Sequence, residues 1–166
     1  MADVTVQDGS DFRDILLRAW QGEIYGVHVY GALAESRSDP TESQKLFELV
    51  GLEQSMRDQL ALVLDALKVP LDIGDVLQVA ERDIAQQRPS TWSELLRWMS
   101  ADAAIALEEY LPLLAADLPP GSVASQVAER VVDHERAIVA FCTKELAGEI
   151  DALQDVRLLL GEFEGQ

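Results

Sequence analysis

Four long segments of this chain carry apolar residues at alternating three- and four-residue spacing, and each stripe is broken by an ionisable residue near its middle. That spacing gathers the apolar side chains on one face of an α-helix, and such a face has to be buried against other helices. The first stripe reads Phe12, Leu16, Ala19, Glu23, Val27, Tyr30 and Ala34. The second reads Leu46, Leu49, Glu53, Met56, Leu60, Val63 and Leu67. The fourth reads Val127, Val131, His134, Ile138 and Phe141.

The third segment allows two phasings, because Glu108 and Glu109 are adjacent. One stripe runs through Trp98, Ala101, Ile105, Glu108, Leu111 and Ala115, with Glu108 its only polar member. The other runs through Leu95, Met99, Asp102, Ala106, Glu109, Leu113 and Ala116 and carries two acids. Glu108 is the expected inward residue, since its stripe repeats the pattern of the other helices; Glu109 stays open as the alternative. Pro112 has no amide hydrogen to offer the carbonyl of Glu108, so a kink is expected there.

Start and stop signals bound these segments. The first helix is expected from about Asp11 to Ser36, closed by Asp39-Pro40. The second opens on Thr41-Glu42-Ser43-Gln44, read as a capping box, and runs to about Leu67. The third opens on Thr91-Trp92-Ser93-Glu94, a second capping-box pattern, and ends before Pro119-Pro120-Gly121. The fourth follows Ser122 and reaches about Gly148. The links after the first and third helices are short, which makes each of those pairs antiparallel neighbours. The link from Lys68 to Ser90 is long and holds Val76, Leu77, Val79, Ala80 and Ile84, enough for a short helix of its own. The expected domain is thus an all-α four-helix bundle over residues 11–148 with a long crossover between helices 2 and 3. It follows a flexible N-terminus (residues 1–10) and precedes a leucine-rich tail (149–166) that docks back on the bundle.

Composition narrows the partners. Thirty acidic residues against 13 basic ones give a formal charge of −17, and the chain has no Lys/Arg cluster, so a nucleic-acid partner is not expected. No stretch of about 18 apolar residues is uninterrupted, so no membrane span is expected. The polar, acidic start lacks the features of a signal peptide, and the single Cys142 reads as a small buried side chain; the expected compartment is the cytoplasm. A homodimer is expected from the leucine-rich tail.

An ionised carboxylate buried without compensation costs several kcal/mol or takes up a proton. Glu23, Glu53, Glu108 and His134 at mid-helix core positions therefore call for a shared neutralising partner. A metal ion held by carboxylate and imidazole ligands from facing helices is one solution. A self-neutralising internal network is the other. Glu53 also has Arg57 at i+4 as an ion-pair alternative, and Asp133 and Glu135 read as solvated flanks able to orient the imidazole.

The first helix carries Trp20-Gln21-Gly22-Glu23, with Tyr30 seven residues beyond the glutamate. In this, and in its helix layout, the chain resembles the ferritin-like superfamily of rubrerythrins and di-iron carboxylate proteins. The resemblance implies a metal centre, with iron or another divalent metal as cofactor and oxidoreductase chemistry. A full site in that family uses four carboxylates and two histidines, the latter in two Glu-x-x-His pairs. Here Met56 follows Glu53 at the histidine position, and Val131 precedes His134 at the glutamate position. The implied set reduces to Glu23, Glu53, Glu108 and His134, sufficient for one metal with water in the open positions. The alternative is a non-enzymatic bundle serving as an interaction or ligand-binding module, with a vestigial site.

Overall fold

The computed structural model describes residues 7–164 of the backbone and the side chains of residues 12–161; the first six residues of the expected N-terminal segment lie outside this range. All regular structure among the described residues is helical. The elements are α1 (Gln7–Ser36), α2 (Pro40–Ala66), α3 (Val76–Gln87), α4 (Trp92–Tyr110), α5 (Val123–Leu146) and α6 (Gln154–Glu164), with a 3₁₀ turn (Leu111–Ala115) after α4.

The helix ends follow local chemistry. Asp39, rather than Thr41, caps α2: its side chain accepts from the amides of Thr41 and Glu42. Pro40 explains the difference, because proline is pre-set for the first helical position and lacks the amide that would go unsatisfied there. The expected capping box at α4 is present, Thr91 and Glu94 each accepting from the other's backbone amide. Ser122 caps α5 by accepting from the Ser125 amide. Pro112 ends the α-helical geometry of α4 at Tyr110 and gives way to the 3₁₀ turn, a sharper change than a kink.

Two apolar clusters make the core. One gathers Val29, Leu33, Leu46, Leu49, Leu95 and Phe141 with their neighbours. The other gathers Leu16, Met56, Leu60, Tyr110, Val127 and Val131. Along α2 and α4 the chain passes from the first cluster to the second, and along α1 and α5 it passes the other way. Hence α1 runs antiparallel to its packing partner α2, and α4 to α5, while α2 and α4 share a direction. The long link carries α3, which lies against α1 through Ala80 and Ile84 and is pinned by Tyr25–Asp83 and His28–Glu81 contacts. The tail forms α6, which packs on α5 and α2 with Leu153 and Val156 buried. Arg157 fixes it with two N–H groups on the Glu48 carboxylate, and Lys144 reaches Asp155. Among the described residues, no helix is long and apolar enough to cross a membrane.

A buried carboxylate and imidazole cluster between two apolar layers

Glu23 of α1, Glu53 of α2 and His134 of α5 meet at the boundary of the two clusters, each with at most 3% of its surface exposed. Three of the four sequence-derived candidates thus converge. The imidazole lies between the two carboxylates, with Nδ1 3.2 Å from Glu23 Oε1 and Nε2 3.2 Å from Glu53 Oε1. Glu23 Oε2 and both ring nitrogens are buried without a hydrogen-bond partner of good geometry. One ligand atom from each of the three residues falls within 4.8 Å of the others, so the group can hold a metal ion.

The local sequence makes the space. Gly22 and Gly26 flank Glu23 on α1, one turn apart. A Cβ on Gly26 would overlap the Glu53 carboxylate, and one on Gly22 would sit 3.0 Å from the Tyr110 hydroxyl. Met56 and Val131, at the two positions where the family pattern carries further ligands, are fully buried in the second apolar cluster.

Glu108 does not join the site. It is exposed, as is Glu109, which pairs with Arg18. The core-facing side of α4 consists of Leu95, Leu96, Met99, Ala103 and Tyr110, whereas Ile105 of the other stripe is 68% exposed. Burying the larger apolar side chains Leu95, Leu96, Met99 and Tyr110 rotates Glu108 to solvent. Arg57 turns to Asp58 instead of Glu53. Asp133 is solvated and paired with Arg136, as expected, but Glu135 is buried at 7% exposure, with Oε1 3.9 Å from His134 Nδ1. The sequence held a signal for this: Ala128, Val132, Val139 and Cys142 form a second stripe beside that of His134, and Glu135 completes it.

Electrostatics follow from burial. Desolvation drives the Glu23 carboxyl well above its ordinary 4.5, with His134 opposing and Glu53 reinforcing the rise. Burial acts to lower His134, but the Glu23 and Glu53 charges outweigh it and hold the imidazole well above 6.5. Burial pushes Glu135 up to about 8 against the pull of His134. Without a cation, this layer therefore retains protons at neutral pH.

A cavity of about 60 Å³ lies in front of Glu53 and Glu135, between α1 and α4. Half-buried Tyr25 and Asp102 stand at its mouth, and Tyr30 and Tyr110 line its buried part. No protein-family model, curated protein or solved structure matches the chain.

Proposed function

We propose that the chain is a ferritin-like metal-binding protein that holds one divalent cation, iron by preference, on Glu23, Glu53 and His134. The observation that carries this reading is the convergence of buried ligand atoms that lack hydrogen-bond partners. Buried polar atoms are nearly always paired, so three that lack a hydrogen-bond partner, on residues whose ligand atoms lie within 4.8 Å of one another, suit an ion better than a packed core. Charge agrees: two carboxylates and a neutral imidazole are balanced by a divalent cation, where the empty cluster needs protons. Carboxylate and imidazole donors suit iron, manganese or zinc.

The fold reading supports the same conclusion. Two antiparallel pairs, α1 with α2 and α4 with α5, joined through the long stretch that carries α3, follow the four-helix, single-crossover connection of ferritin-like bundles. In this account Glu23 and Glu53 supply the charge, and His134 supplies one neutral nitrogen after giving up its proton. Glu135 Oε1 stands 3.9 Å from His134 Nδ1, beyond hydrogen-bond reach, and acts on the imidazole through its charge state. Bound iron would supply one-electron redox chemistry. The protein excludes bulk water from the ligands by enclosing them between apolar layers. With three protein ligands, positions stay open for water or a small substrate.

One observation favours a second reading, a helical interaction or ligand-binding module without catalysis. Each ring nitrogen faces a different carboxylate, an arrangement that also suits an imidazolium neutralised by Glu23 and Glu53 alone. Metal analysis of protein purified from iron-supplemented cells, followed by anaerobic Fe(II) loading, separates the two. Bound metal in either sample supports the first reading, and none in both leaves the second.

A further inference from the structure

The cavity between α1 and α4 is graded in burial and charge. Asp102, half-buried at its mouth, lies within the electrostatic influence of Asp83 and Glu53. Farther in, Glu135 is more than nine-tenths buried, lines the cavity and makes no hydrogen bond among the described residues. Glu53 lines the same cavity and belongs to the metal cluster. Three carboxyl groups thus run from the surface to the ligand set, with no Lys, Arg or His lining the cavity to repel a cation. Gly22 and Gly26 keep α1 from closing it. A buried water needs roughly 10–15 Å³ of such space. The cavity of about 60 Å³ therefore takes a partly hydrated ion and excludes ordinary organic metabolites.

We propose that this cavity is the route by which a divalent cation reaches Glu23, Glu53 and His134, with the Asp102 carboxylate capturing the ion at the mouth and the carboxyl oxygens of Glu135 passing it to Glu53. The inference rests on the metal-binding reading and adds a kinetic role for residues outside the ligand set. Asp102 and Glu135 lower the barrier to loading without adding to the final number of ions bound.

The test is stopped-flow loading of metal-free protein with Co(II), followed by its visible absorption, together with equilibrium dialysis for stoichiometry. Asp102→Asn is expected to load at least about tenfold more slowly, the lower end of focused electrostatic steering, and to reach the wild-type stoichiometry. Glu108→Gln removes the same charge from the outer side of α4 and is expected to load at the wild-type rate. Ala106→Phe, which narrows the mouth, is expected to slow loading as well. A wild-type rate for both Asp102→Asn and Ala106→Phe would overturn the route, as would equal slowing by Asp102→Asn and Glu108→Gln. Failure of the wild-type protein to bind Co(II) would remove the site reading and the route together, whereas normal stoichiometry with an unaffected rate removes the route alone.

Discussion

Gly26 on α1 leaves vacant the volume that the Glu53 carboxylate of α2 occupies. A single methyl group at residue 26 would have to displace a buried acid that stands against His134. Gly26→Ala is therefore expected to destabilise the protein by about 1–3 kcal/mol, the usual range for overpacking, and to abolish metal binding. Gly22→Ala meets only the Tyr110 hydroxyl at 3.0 Å and should do less on both counts. Thermal melts and dialysis against Co(II) measure the two effects on the same samples.

Replacing Glu23 by Gln separates ligation from stability. The amide copies the shape of the protonated acid that burial favours in the empty cluster. The metal-free variant should melt at or above the wild-type temperature. Its metal affinity should fall by more than the roughly 10–100-fold that loss of a supporting partner costs. Isothermal titration with Co(II) reads the second effect. A variant that is both less stable and equally good at binding metal would argue against Glu23 as a ligand.

The metal-free protein should lose stability as pH rises. Glu135 titrates near 4.5 when unfolded but holds its proton to about 8 when folded. Its contribution is full below the first value and is lost as pH climbs to the second. At about 1.4 kcal/mol per pH unit, the loss over that window reaches several kcal/mol. Glu23 and His134, both shifted upward, act in the same direction. Urea melts at pH 5 and pH 8.5 check this, and Glu135→Gln should flatten the difference. Metal affinity has the opposite dependence, because the ion needs ligands without protons.

Glu108→Ala should change stability by less than about 0.5 kcal/mol, the scale of an ordinary surface substitution, and leave metal binding intact. This prediction reverses the expectation that the stripe pattern suggests, and the reason is physical. On α1, α2 and α5 one face is plainly the more apolar, so periodicity alone finds Glu23, Glu53 and His134. On α4 the stripe of Trp98, Ala101 and Ile105 is as apolar by type as that of Leu95 and Met99. Volume decides between them: Leu95, Leu96, Met99 and Tyr110 fill the core, while Ala101, Ile105 and Glu108 face outward. Glu135 escaped the one-stripe pattern because α5 is buried on a face two residues wide, from Val127 and Ala128 to Phe141 and Cys142. The cavity was not legible at all, since it arises where Gly22 and Gly26 on α1 oppose Ala103 and Ala106 on α4, residues some 80 positions apart in the chain.

Stoichiometry after anaerobic loading decides whether Glu23, Glu53 and His134 bind a metal ion. Metal-free wild-type protein dialysed against Fe(II) and analysed by plasma mass spectrometry should hold one ion per chain, while Glu53→Gln and His134→Phe, each shown to be folded, should hold none. No retained metal in the wild type, or equal retention in the variants, would rule out Glu23, Glu53 and His134 as the ligands.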